Sequence, residues 1–257
     1  MTGDERLRAE LSAAVSSAGT LQTAADRLCQ ACVGLLDVDG ASISLTVDGT
    51  NRGTLGASSD LSRQLDELQF TFGEGPCLDA VHSGAPVLVA DLDDTAETRW
   101  PAFTQAVLQE GVSAVFALPV SLATSPVGAL DLFRLRQGRL SDEALAGGLL
   151  AAELAALPLL DLLAARVVGG GPDRRAEFDE DGWMQLASLE RVEVYQATGM
   201  IMGALDVDDA EALVRLRAHA YVAGQTAAQL SAAIVERRVL LNTPDWQDPH
   251  RPTADGR

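Results

Sequence analysis

Three consecutive glycines, Gly169, Gly170 and Gly171, followed by Pro172 and an acid-rich stretch to Asp181, interrupt this chain where no regular element is expected to run. Glycine inside a helix costs about 1 kcal/mol relative to alanine and proline about 3, so such a run ends whatever precedes it. Residues 167–182 therefore read as a linker. A chain of 257 residues exceeds one typical core. The break divides it into a domain-sized unit over 1–166 and a short one over 183–243, with 244–257 as a flexible, proline-containing tail.

Within the first unit the apolar spacing changes from helix to strand and back. Leu21, Ala24, Ala25, Leu28, Cys32, Leu35 and Leu36 recur at helical intervals and predict an amphipathic helix over 21–36. The segment Ala41-Ser-Ile-Ser-Leu-Thr-Val47 alternates with period two and ends at Asp48-Gly49, a hairpin signal, so 52–58 is expected to return antiparallel. Short helices are expected over 61–68 and 99–110, a strand over 86–89, and a second hairpin from the apolar runs 112–120 and 127–134. Ser141 caps a further helix whose first-turn acids suit the backbone dipole, and Pro158 is expected to kink or split it. The second unit reads as three helices, 183–204, 208–223 and 226–241, with Thr226 and Gln229 in capping-box form. The fold class is α+β: an antiparallel sheet with flanking N- and C-terminal helices, then an all-α three-helix bundle.

Charge divides along the same line. Thirty-seven acids against nineteen bases, all of them arginine, give a net −18. Residues 212–241 hold Arg215, Arg217, Arg237 and Arg238 against Glu236 alone, a local +3 that leaves −21 for the rest. A locally positive surface gains free energy by releasing counterions condensed on phosphates, so this is the charge layout of a nucleic-acid-binding output on an anionic sensor. The N-terminus has early acids and no apolar signal core, and segment 144–168 carries Glu153, Pro158, Asp161 and Arg166. A cytoplasmic protein with an amphipathic helix there, and no membrane span, is the expectation.

The second unit carries a resemblance. Gln196-Ala197-Thr198-Gly199-Met200-Ile201-Met202, then Glu211-Ala-Leu213, Leu216-Arg217-Ala218-His219-Ala220 and the run 228–235, together resemble an ANTAR domain, the RNA-binding three-helix output of bacterial antitermination regulators. Thr198 stands where many members carry Lys. Small residues (Ala197, Gly199, Ala212, Ala220) would let the helices approach closely, with Met200, Leu213, Leu216 and Ile234 filling the core. In the first unit, Phe72-Gly73-Glu74-Gly75-Pro76-Cys77-Leu78-Asp79-Ala80, Gly84-x-Pro86 and Gly128-Ala-Leu-Asp-Leu-Phe133 resemble a GAF domain over about 21–166. The two in this order resemble the GAF–ANTAR antitermination regulators common in actinobacteria.

The resemblance implies a pocket between the sheet and segments 73–89 and 96–111, with Gly73, Glu74, Gly75 and Cys77 at its rim and a small-molecule effector as occupant. It implies that hairpin loops in nascent mRNA bind the bundle and that the chain is a homodimer. Arg215, Arg217, Arg237 and Arg238 are the candidate phosphate contacts, Tyr221 a stacking residue, and Gln225 and Thr226 polar contacts at a helix start. This reading requires the arginines to form one outward, connected surface. No catalysis, cofactor or metal is expected. Three histidines leave little material for general-base chemistry. Cys29-x-x-Cys32 reads as buried small residues, and Asp91, Asp93 and Asp94 as a solvated loop without calcium-loop spacing. Two alternatives stand beside the regulator: a methionine sulfoxide reductase using Cys77 as nucleophile, and a protein-interaction module without RNA.

Overall fold

The computed structural model describes residues 3–16, 20–47, 50–169, 191–241 and 246. The elements are α1 Gly3–Ser16, α2 Leu21–Leu35, β1 Gly40–Val47, β2 Thr50–Ala57, α3 Asp60–Phe72, α4 Pro76–Ser83, β3 Val87–Val89, α5 Pro101–Gln109, β4 Ala114–Leu122, β5 Ser125–Arg134, α6 Asp142–Gly169, α7 Val192–Leu205, α8 Asp209–Val222 and α9 Ala227–Val235. All strand pairs are antiparallel, in the order β2-β1-β5-β4-β3.

Strand alternation assigns side chains to two layers. Leu130 and Leu132 of β5 join Leu28, Ile43, Leu45, Phe116 and Leu118 in the core under α1, α2 and α6. On the other face, Val115 and Phe133 pack with Leu65, Trp100, Phe103 and Val107 of the α3–α5 layer. α3 starts at a serine cap, Ser59, whose hydroxyl accepts from Ser62 N, and stops at Gly73 with φ 66°. Positive φ favours glycine because no Cβ clashes there.

The three C-terminal helices enclose their own core: Val194, Ala197 and Ile201 of α7, Ala212, Leu216 and Ala220 of α8, and Ala227, Leu230 and Ile234 of α9. The Thr226–Gln229 capping box is present. Gly199 differs from expectation: a Cβ there would meet nothing within 4 Å. It lies two residues past Ala197, which puts it off the packed stripe.

Other boundaries differ too. α6 continues past Pro158 to Gly169 as one helix, so the proline does not split it. Good helix formers flank it on both sides, and its cost does not outweigh them. α9 stops at Val235 rather than 241, and Arg237 takes a left-handed φ of 58° in the terminating turn. Trp246, assigned to the flexible tail, is 4% exposed and stacks on His219 with ring centroids 3.9 Å apart. The Asp48-Gly49 turn, residues 170–190 with most of the linker and the first part of the 183–204 helix, and the remaining tail lie outside the described residues. Among the described residues, no helix is long and apolar enough to cross a membrane.

Candidate functional site

β1 turns Ser42, Ser44 and Thr46 toward α3 and α4, and all three are buried. Alternating polar residues on an antiparallel strand ordinarily meet water. Here they form the floor of an enclosed polar cluster. Asp131 of β5 stands opposite Ser42 in the strand register and extends that floor. From above, α3 supplies Asp66 and Gln69, three residues apart on one stripe, and α4 supplies Cys77 in its first turn.

The contacts tie these elements together. Gln69 Nε2 donates to Asp131 Oδ2 at 2.6 Å, while Gln69 Oε1 accepts from Cys77 N at 2.9 Å. Ser44 Oγ and Cys77 Sγ share a hydrogen bond of 2.9 Å, and Thr54 donates its hydroxyl to Asp66. Burial, aided by the Asp66 charge, pushes the Asp131 carboxyl up to about 7, against the pull of the Gln69 hydrogen bond. Burial likewise pushes the Cys77 thiol well above its usual range, with Asp131 and Asp66 adding to the shift and the hydroxyls of Ser44 and Thr46 opposing it. The thiol is therefore held protonated.

α3 shows a further face to the C-terminal helices. Arg191, immediately before α7, is 2% exposed; its guanidinium lies 3.8 Å over the Phe70 ring, donates to Glu67 Oε2 and reaches Asp66 Oδ2 at 3.4 Å. Arg217 of α8 lies over the same ring at 4.6 Å. Thr71 Oγ1 accepts from Ala227 N at 2.9 Å, and Glu67 Oε1 from Ala228 N at 3.3 Å. The start of α9, with its unpaired N–H groups, is thus capped by residues of α3. Phe72 meets Tyr221 edge-on, with centroids 5.8 Å apart. Asp66 links the two systems, because it belongs to the buried cluster and pairs with Arg191.

A GAF domain model matches residues 18–157, which is more than half of the chain. The chain belongs to the GAF domain family. Among solved structures, it resembles the GAF domain of a phosphoenolpyruvate-protein phosphotransferase from Coxiella burnetii at 21% identity and a TM-score of 0.51, covering 64% of this chain and 95% of that one. The GAF domain of an Acinetobacter phosphoenolpyruvate-protein phosphotransferase is similar at 15% identity and TM-score 0.50, covering 66% and 98%. The reduced form of fRMsr from Staphylococcus aureus is also similar, at 11% identity and TM-score 0.46, covering 60% and 94%. Such identities show the fold alone. No curated protein matches the chain significantly.

In this GAF domain the rim candidates build structure. Gly73 ends α3, and Glu74 Oε1 accepts from Ala102 N and Phe103 N at 2.7 and 3.0 Å, capping α5 from a distance. Gly75 has φ 144°, and a Cβ there would overlap the Gln69 side chain. Cys77 is wholly buried. Beneath α3–α5, Leu65, Trp100, Phe103 and Val107 belong to one buried cluster, and Cys77, Val81 and Ala129 form another. A cleft of about 560 Å³ is lined by Leu88 and Val89, by Ala96 and Glu97, and by Phe116 of the sheet, so it touches both segments named for the expected pocket; Arg139 and Leu145 close its far side. Two of its acids, Asp91 and Asp94, belong to the expected loop: Asp91 Oδ1 accepts from Asp93 N and Asp94 Oδ1 from Ala96 N. Cys29 and Cys32 are buried, and burial raises both thiols, Cys32 to about 12.

The arginines do not form the single connected surface expected of them. Arg215 pairs with Glu211 and donates to the Trp246 carbonyl at 3.0 Å; Arg238 pairs with Glu236 at 2.6 Å. Arg217, Tyr221 and the α9 start face α3, while Arg237 is exposed past the end of α9. Gln225 is exposed, Thr226 caps its own helix, and Thr198 Oγ1 donates to Val194 O at 2.7 Å. Reading the sequence missed Asp66, Gln69, Asp131, Arg191 and the buried role of Ser42, Ser44 and Thr46. One signal was available: an aspartate inside the apolar strand run 127–134.

Proposed function

We propose that this GAF protein is a signal-responsive regulator whose α7–α9 unit is an ANTAR-type output that binds hairpin loops in nascent mRNA and favours antitermination. In the conformation described, the sensor holds that output back. The observation that carries this reading is the contact between α3 and the start of α9. A helix N-terminus is a ready anion site, and the Glu67 carboxylate and Thr71 hydroxyl take the N–H groups of Ala227 and Ala228 that a phosphate would otherwise take. Arg217 and Tyr221, two of the candidate RNA contacts, are engaged by Phe70 and Phe72 of the same helix. A signal that moves α3 would free all of these at once. The Arg238–Glu236 pair is compatible with this, since an exposed pair is worth at most about 1 kcal/mol and yields readily to phosphate.

The reductase alternative asks for an accessible, activated thiol, and Cys77 is buried with its pKa raised. RNA binding by the full chain, titrated with paired-hairpin RNA and with a loopless duplex at several salt concentrations, tests the proposal. Hairpins are expected to bind tighter than duplex. If four arginines each neutralise one phosphate, the log–log salt slope is about −3. Equal affinity for both RNAs, or none for either at low salt even in a full-length variant lacking the Glu67 and Thr71 acceptors, refutes the RNA reading and favours the interaction-module alternative.

A further inference from the structure

The buried cluster contains donors that its own hydrogen bonds do not exhaust. A carboxylate oxygen of Asp66, the sulfur of Cys77 and a carboxylate oxygen of Asp131 lie within 4.8 Å of one another, in three buried residues contributed by α3, α4 and β5. Asp131 is 5% exposed, yet its Oδ1 has no hydrogen-bond partner among the described residues. A buried carboxylate oxygen with nothing to accept from is costly, and one beside a second carboxylate is costlier. A cation is the ligand whose chemistry answers both.

We propose that Asp66, Cys77 and Asp131 form a buried site for one divalent first-row transition metal of the Fe²⁺, Co²⁺ or Zn²⁺ class. The sulfur argues against Mg²⁺ and Ca²⁺, which take all-oxygen shells, and the two carboxylates with a single sulfur argue against Cu⁺. Neither of the two cysteines of the Cys29-x-x-Cys32 pair takes part, and no metal was expected from the sequence. Binding involves no redox step: the Cys77 thiol gives its proton to solvent as the metal–sulfur bond forms, and an Asp131 proton leaves likewise. Orienting groups are already present. Gln69 holds Asp131 Oδ2, Ser44 holds Cys77 Sγ, and Thr54 and Arg191 hold Asp66. Because Asp66 also pairs with Arg191, a bound ion would share a carboxylate with the anchor of α7. The site does not depend on whether the C-terminal helices bind RNA.

Co²⁺ alone, titrated into the chelator-stripped full-length protein, is the test. One equivalent is expected to bind with a near-ultraviolet thiolate-to-cobalt charge-transfer band, displaced by Zn²⁺. The band is expected to persist in the C29A/C32A double variant and vanish in Cys77→Ser, and Asp131→Asn is expected to weaken binding at least tenfold. Should Cys77→Ser fail to fold, the near-isosteric Asp131→Asn supplies the second variant. The absence of a sulfur band in the wild-type protein, a band lost in C29A/C32A, or unchanged affinity in Asp131→Asn would each overturn the proposal.

Discussion

Asp131 shows how much a single buried carboxyl can decide. Folding raises its pKa from about 3.9 in an unfolded chain to about 7, in a setting of Asp66 and Gln69 from α3 and Cys77 from α4. The folded state thus holds a proton that the unfolded state releases between these values, so the stabilisation is complete below about pH 4 and is lost as pH rises through about 7. In metal-free protein, Asp131→Asn removes the titration. Chemical denaturation of both proteins from pH 5 to 9 is expected to show the wild type losing a few kcal/mol relative to the variant as pH rises; parallel profiles would contradict this. Gly75 provides a second residue-scale case. Its φ of 144° and the Gln69 side chain leave no room for a Cβ, so Gly75→Ala is expected to lower stability by about 2–3 kcal/mol, read from the denaturation midpoint.

At the scale of the element, α3 is the centre of the molecule because three of its sides are covered. Leu65 faces the α5 layer, Asp66 and Gln69 the sheet, and Glu67, Phe70 and Thr71 the C-terminal helices. The 61–68 helix is legible from its leucine spacing, but its other two faces are not, because hydrophobic periodicity marks apolar contact and has no term for a polar stripe covered by another polar surface. β1 misleads in the same way: Ser42, Ser44 and Thr46 read as the solvent side of an ordinary alternating strand. The hairpins, the helix starts at Thr226 and Asp208, and the core positions Ala197, Leu216 and Ile234 were legible, since caps and spacing are local. Arg191 was not, because its partners Asp66 and Glu67 lie more than 120 residues away in the chain. Its removal leaves two acids facing a buried surface without their cation. Arg191→Ala is expected to cost about 3–5 kcal/mol locally and to accelerate amide exchange at the starts of α7 and α9 more than in the β4–β5 pair. Uniform acceleration throughout the chain would show that the arginine supports the whole fold rather than this docking.

For the whole molecule, a −18 chain carries a +3 segment, and part of the proposed RNA surface, Arg217, Tyr221 and the start of α9, is turned toward α3 in the conformation described. The regulatory account therefore rests on release, and its energy scale is modest. Two hydrogen bonds to the start of α9 and two ring contacts, Arg217 on Phe70 and Tyr221 on Phe72, together hold a few kcal/mol, within reach of a ligand with different affinities for two states. The most direct measurement compares hairpin-RNA affinity of the full-length wild type with that of the Glu67→Met/Thr71→Val double variant, whose side chains offer neither acceptor to the start of α9, at low salt. Removal of the α3 cap from α9 is expected to raise affinity about tenfold, equivalent to about 1.4 kcal/mol of docking energy, with preference for the loop retained. Equal affinity for the two proteins, both folded, would contradict the claim that the GAF domain holds its output closed through α3.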